Sequence, residues 1–219
     1  ALERGGVRAD FESVDAPTGT VVSVVGENGQ RAMLTDRGAN SLLSETFVLQ
    51  SLVAPFDHVH VSGYLFLDAS TRRVARAALV CAIESARSVS VDVCSVGPLA
   101  QITPEAFLHG AQGATYLFAN EEEALALTSR ATVGNALDFL ADRFDEVMIT
   151  RGSQGALAAR GAERYDVRAH QVRVLDTTGA GDAATGAYLG ARLDALSIGS
   201  SMDNAMTGAA RVVGDLGAN

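Results

Sequence analysis

The run VLDTTGAGDAATGAYLGARL, residues 174–193, holds the residue types and spacing best suited to chemistry. A β-branched stretch leads to Asp176, a turn of small residues follows, and a helix rich in alanine and glycine begins near Gly179. Gly179, Ala180 and Gly181 carry no bulky side chains, so successive backbone N–H groups can approach an anion. The helix N-terminus adds its partial positive charge. The result is an anion hole built without lysine, suited to charge developing on a transferring phosphoryl group. Asp182 lies in the first turn of that helix, where a carboxylate can take the proton of an attacking hydroxyl. General-base help of this kind is worth roughly 10²–10⁴ in rate. Glycines that merely permit a tight turn, and an acid that merely complements the helix dipole, would leave the same four-residue pattern.

The elements around this segment decide what it can face. HVHVSG (58–63), VSVDVC (89–94), ATYLFAN (114–120), EVMITRG (146–152), GALAAR (155–160) and VRVLD (172–176) read as strands. Helical patterns fill 70–86, 121–128, 132–143, 180–194 and 201–214. Apolar strands alternating with helices predict an α/β fold of three α-β-α layers, with a mainly parallel sheet covered on both faces. Ligands bind such sheets beyond the carboxyl ends of strands. Three loops leave strands in that way: Asn120–Glu123, Thr150–Gly155 and Asp176–Asp182. Ahead of the sheet, TVVSVVGENGQRAMLT (20–35) is two alternating β-branched runs around Glu27-Asn28-Gly29, a strong hairpin signal. The hairpin is expected to form a lid or an edge. No repeat, low-complexity stretch or long linker divides the chain, so one domain over residues 1–219 is expected.

Each smaller motif has a plain structural reading beside the chemical one. NEEEA, from Asn120, is a helix start with Asn120 as N-cap and Glu123 closing a capping box. Thr150, Gly152 and Gly155 fit an ordinary turn between strands as well as a loop that approaches a phosphate. Arg151 is the one arginine set inside that loop. His58 and His60 share a strand face but lack a third ligand, so they are expected to be structural or solvent-facing rather than metal-binding.

Composition excludes several function classes. There are 17 basic residues, all arginine, against 26 acidic ones, for a net charge of −9. Lysine Schiff-base chemistry and a P-loop lysine therefore cannot come from these residues. The acidic balance argues against nucleic acid and anionic lipid as partners. No apolar run of about 20 residues marks a membrane span, and a cytoplasmic protein is expected. Cys81 and Cys94 lack CxxC spacing and read as small hydrophobes in a reducing compartment.

DTTGAGD followed by a small-residue helix resembles the C-terminal signature of the PfkB (ribokinase-like) carbohydrate kinases. Other segments are similar to that family in the right order: TGT at 18–20, GAN at 38–40, NEEE at 120–123 (NxxE) and TRGSQGA at 150–156 (Thr-x-Gly-x-x-Gly). The resemblance implies that Asp182 is the base and that the amides of Gly179, Ala180, Gly181 and Asp182 form the anion hole. It implies Asn120 and Glu123 near the phosphates and Mg²⁺, with Glu123 acting through metal-bound water, and Thr150, Gly152 and Gly155 along ATP. It further implies a monovalent cation, usually K⁺, at Asp176 and Thr178, completed by chain near Gly217. The family's N-terminal portion, with its sugar-binding Asp, its Gly-Gly-Asn segment and most of its lid, has no counterpart here. The fold is thus expected to be incomplete at the N-terminus.

The function this implies is an ATP- and Mg²⁺-dependent sugar kinase acting on a hydroxyl of a ribose, fructose or sugar-acid class substrate, with a homodimer expected from the hairpin. A nucleoside kinase on the same fold is the closest alternative, and a pocket able to stack a base would discriminate it. A non-catalytic sugar or nucleotide sensor is a second, disfavoured by an intact Asp182 beside an intact GAGD. A nicotinamide-binding Rossmann protein fails on position, because its glycine motif should follow the first strand.

Overall fold

The N-terminal β-branched runs pair with each other and not with the main sheet. In the computed structural model, which describes residues 6–25, 31–86 and 88–214, β1 (Thr18–Val25) and β2 (Arg31–Gly38) are antiparallel, with Thr18 opposite Gly38 and Val25 opposite Arg31. The Glu27-Asn28-Gly29 turn lies outside the described residues. This two-stranded sheet connects through a 3₁₀ turn to α1 (Glu45–Ser51), whose first turn is capped by the Ser44 side chain. The sequence pattern had suggested no helix there.

The main sheet follows. β3 (His58–Val61) leads through α2 (Tyr64–Leu67) and α3 (Arg72–Ser85) to β4 (Ser88–Asp92). Then α4 (Val96–Leu99) and α5 (Pro104–Ala111) lead to β5 (Tyr116–Asn120). α6 (Glu121–Thr128) and α7 (Val133–Ala141) precede β6 (Glu146–Thr150). β7 (Ala156–Arg160) and β8 (Glu163–Val167) form a meander, and α8 (Ala180–Leu193) and α9 (Ile198–Val213) close the described chain. The strand order is β3-β4-β5-β6-β7-β8, parallel from β3 to β6 and antiparallel from β6 to β8.

Alternation on the central strands builds the three layers. Leu117, Ala119, Val147 and Ile149 point into a core with Leu79, Phe107, Leu127 and Leu140 of the helices on one face. Phe118, Met148, Ala156 and Ala158 point the other way, onto Tyr188, Leu189, Met202 and Met206 of α8 and α9. The expected three-layer α/β architecture is therefore present, with a mainly parallel sheet. Among the described residues no helix is long and apolar enough to cross a membrane.

One expected strand is absent. VRVLD (172–176) forms no ladder; instead the charged segment Glu163–Val167 pairs with β7 as the sheet's last strand. The reason is solvent: an edge strand needs no alternation of apolar residues, so β8 gives no hydrophobic signal. The β-branched residues at 172–175 are used elsewhere, with Leu175 N donating to Val213 O at 2.8 Å, so that the segment docks on the end of α9.

A buried ionic cluster fixes α8 to the sheet. Glu146, 3% exposed at the start of β6, accepts from Tyr188 Oη at 2.7 Å and from Arg192 Nε at 2.8 Å and Nη2 at 3.1 Å. The burial and the Glu146 charge together raise the Tyr188 hydroxyl pKa well above its ordinary value. Removing one partner of such a group leaves the others charged or polar without compensation, at about 3–5 kcal/mol. Glu146→Ala is therefore expected to lower unfolding free energy by about that amount, read from the urea midpoint at unchanged slope.

Candidate active site

The parallel strands end side by side, so their loops gather at one edge of the sheet. Asn120 pairs with Thr150 at the ends of β5 and β6, and Asp92 closes β4 one strand away. Two of the three loops singled out from the sequence then converge. Thr150, Gly152 and Gly155 line one cavity of about 260 Å³ with Thr177, Ala180 and Gly181. Its remaining walls come from the 169–174 segment and the α8–α9 pair.

Gly179 supplies the backbone that makes this possible. It is the N-cap of α8 at φ 80°, a left-handed conformation that side chains disfavour. Ala180 N donates to Thr177 O at 3.3 Å, and Ala183 N to Gly179 O at 2.9 Å. Among the described residues, the intervening amides of Gly181 and Asp182 donate to no carbonyl outside the helix. First-turn amides lack intrahelical acceptors, so these two N–H groups are available to an anion. Asp182 stands exposed in the same turn, next to Gly181.

The Thr150–Gly155 loop is held from outside the cavity. Gly155 has φ 98°, and a Cβ there would lie 1.9 Å from Val167 O. Arg151 N donates to Gly155 O at 2.7 Å. The Arg151 side chain is not in the cavity lining; it pairs with Asp166 of β8 and is only 13% exposed. The arginine inside the loop thus clamps the loop to the last strand.

Asn120 and Glu123 form the complete capping box: Asn120 Oδ1 accepts from Glu123 N, and Glu123 Oε2 from Asn120 N, each at 2.8 Å. Burial raises the Glu123 pKa above the usual carboxylate range, and the charges of Asp92 and Glu122 push it further. Burial also acts to raise Asp92, but hydrogen bonds from His60, Cys94 and the Gly63 amide outweigh it and hold that carboxylate low. The Gly63 N–H reaches Asp92 Oδ1 at 2.7 Å. Sequence reasoning missed Asp92, whose only signal was its place at the end of a buried strand.

Asp176 and Thr178 meet one another: Asp176 Oδ1 accepts from Thr178 N at 2.9 Å and from Thr178 Oγ1 at 2.8 Å. The segment near Gly217 lies outside the described residues. His58 and His60 share the face foreseen for them. Ser90 Oγ is 2.8 Å from His58 Nε2 and 2.7 Å from His60 Nδ1, and Ser88 Oγ is 2.8 Å from His58 Nδ1. Among the described residues no group of three or more His, Cys, Asp or Glu is placed to hold a metal.

A family model described as pfkB family carbohydrate kinase matches residues 1–219. The chain is 26% identical over 200 residues to an uncharacterized sugar kinase of Archaeoglobus fulgidus, covering 86% of this chain and 74% of that protein. It is 25% identical over 190 residues to ribokinase of Bacillus subtilis, covering 85% and 60%. The solved structure of adenosine kinase from Sinorhizobium meliloti matches with a TM-score of 0.85 at 27% identity, over 98% of this chain and 67% of that one. Fructokinase of Vibrio cholerae, solved with fructose, ADP and calcium ion, shares the fold with a TM-score of 0.81 at 24% identity, over 99% and 74%. The chain thus spans 60–74% of the length of these relatives.

The glycines of the loop predict a graded response. Gly155→Ala forces a Cβ into backbone and is expected to cost more than 3 kcal/mol, whereas Gly152→Ala, at φ 55° but facing open space, is expected to cost about 1–3 kcal/mol. Urea midpoints of the two variants check the order. His58 predicts a pH effect: burial first, then the charge of His60, lowers its pKa from 6.5 to about 4. The neutral ring is favoured in the fold, so its contribution is complete above pH 6.5 and is lost as pH falls towards 4. The unfolding midpoint of His58→Asn is expected to be less steep in pH across that window than that of the parent.

Proposed function

The chain belongs to the PfkB family of carbohydrate kinases, and on that premise we propose that it is the nucleotide-binding and catalytic part of an ATP- and Mg²⁺-dependent kinase whose acceptor is a hydroxyl of a small carbohydrate. The observation that carries this reading is the convergence of Thr150, Gly152 and Gly155 with Ala180 and Gly181 on one cavity, with Asp182 adjoining.

In this reading the nucleotide lies along the cavity with its γ-phosphate at the first turn of α8. The amides of Gly181 and Asp182 donate to the phosphoryl oxygens as negative charge shifts towards the β-phosphate, where oriented N–H groups need no reorganisation. Asp182 receives the proton of the acceptor hydroxyl as its oxygen bonds to phosphorus. The acceptor therefore sits on the far side of the γ-phosphate from the nucleoside, in line with the bond that breaks. Ribose, fructose and sugar acids all offer such a hydroxyl.

A divalent cation would sit beside Glu123 in this reading. Burial first, then the charges of Asp92 and Glu122, raises the Glu123 pKa, and a bound cation would offset both effects. Glu123 keeps one oxygen in the helix cap, so it would hold Mg²⁺ through water rather than by wrapping it, as that ion's reluctance to dehydrate favours. When bound, Mg²⁺ would neutralise negative charge on the phosphates of the nucleotide. Asp176 and Thr178 would take the monovalent cation behind the anion hole. β1 and β2 would serve as a lid and dimer contact, and the setting would be the cytoplasm.

The nucleoside-kinase reading draws support from the likeness to an adenosine kinase at 27% identity. A panel of sugars and nucleosides with Mg·ATP and coupled ADP detection separates the two. On the acceptor that turns over, Asp182→Asn is expected to lower kcat by about 10²–10⁴ while nucleotide affinity changes little. Unchanged turnover would remove Asp182 from the base role.

A further inference from the structure

The cavity between the Thr150–Gly155 loop and the start of α8 is walled mainly by apolar groups, among them Val172, Ala184, Met206 and Ala209. Apolar walls of this kind suit a heteroaromatic ring and do not tell one ring from another. Selection has to come from the few polar groups at the rim. His170 is the one imidazole among them.

The state of that imidazole follows from its neighbour on α9. Thr207 Oγ1 is 2.9 Å from Asp203 O and 3.2 Å from His170 Nε2. A hydroxyl has one proton, and the shorter contact, to the carbonyl one helical turn back, takes it. Thr207 therefore accepts from His170, which places the proton of the neutral ring on Nε2 and leaves Nδ1 as a lone-pair acceptor. Among the described residues no donor reaches Nδ1. Nδ1 of this exposed ring is left to solvent, and a base that carries an amino group can take the place of water there.

We propose that His170 is a specificity residue for the nucleobase, its Nδ1 accepting from the exocyclic 6-amino group of adenine, with Thr207 as the positioning residue that sets the tautomer. This rests on reading the cavity as the nucleotide site. It adds to that reading a residue of this chain that chooses the base.

The test is equilibrium binding of Mg·ATP and of purine riboside triphosphate, which lacks only the 6-amino group, by isothermal titration calorimetry. The parent protein is expected to prefer ATP by roughly threefold to tenfold, the range of a single neutral hydrogen bond. His170→Ala is expected to weaken ATP and leave the deamino analogue unchanged, bringing the two within about twofold of each other. Thr207→Val, which keeps the shape of α9, is expected to narrow the ratio in the same direction because the ring proton is no longer held on Nε2. A purely structural role for His170 would weaken both nucleotides alike. An unchanged ratio in His170→Ala would overturn the assignment alone. Binding of neither nucleotide by the parent would overturn it together with the kinase reading.

Discussion

Side chains of β5 and β6 alternate between two dry layers: Leu117, Val147 and Ile149 into one, Phe118 and Met148 into the other. A polar group on either face would cost several kcal/mol unless it were paired, and Glu146, fully engaged at the first position of β6, shows how completely the pairing must be met. Chemistry is thereby excluded from the length of these strands and confined to their carboxyl ends. Asn120, Thr150 and Asp92 stand there because the parallel register from β3 to β6 brings those ends level. In the proposed reading the anion-binding turn then comes from outside the sheet, at the start of α8.

β6 and α8 run alongside each other and meet at both ends. At one end Glu146 holds Tyr188 and Arg192; at the other, Thr150 and Gly181 line the same cavity. The five residues of β6 rise about 13 Å between these points, and Gly181 to Arg192 climbs about 17 Å along the helix. The near match explains how an ionic cluster far from the cavity can set the height of the helix N-terminus over the strand end. In the proposed kinase reading, a first turn displaced by about an ångström would aim its amides past the phosphoryl group, and orientation of this kind carries much of the rate in phosphoryl transfer.

What the sequence made legible was whatever local pattern alone determines. The small residues of GAGD, the capping signature of Asn120 and Glu123, and the apolar strands all report on their own neighbourhoods, and the architecture and family followed from their order. Features that depend on distant partners were not legible. An exposed edge strand such as ERYDV has no reason to be apolar, so β8 leaves no pattern, and VRVLD has the pattern of a strand because β-branched residues wall a cavity as readily as they fill a sheet. Arg151 sits inside a loop that could approach a phosphate, yet its partner is Asp166, fifteen residues on. Asp92 and His170 gain meaning only from neighbours on other elements, Gly63 and His60 for the first and Thr207 for the second.

The claim on which the account turns is that the amides at the start of α8 receive the phosphates of a nucleotide lying against the Thr150–Gly155 loop. Amide hydrogen exchange with and without a non-hydrolysable Mg·ATP analogue measures this most directly, since the exchanging groups are themselves the proposed donors. Protection concentrated at residues 150–155 and 177–184, with the pocket-distant start of β6 unchanged, is the predicted result. Nucleotide binding that leaves the exchange of Gly181 and Asp182 unaltered would contradict it.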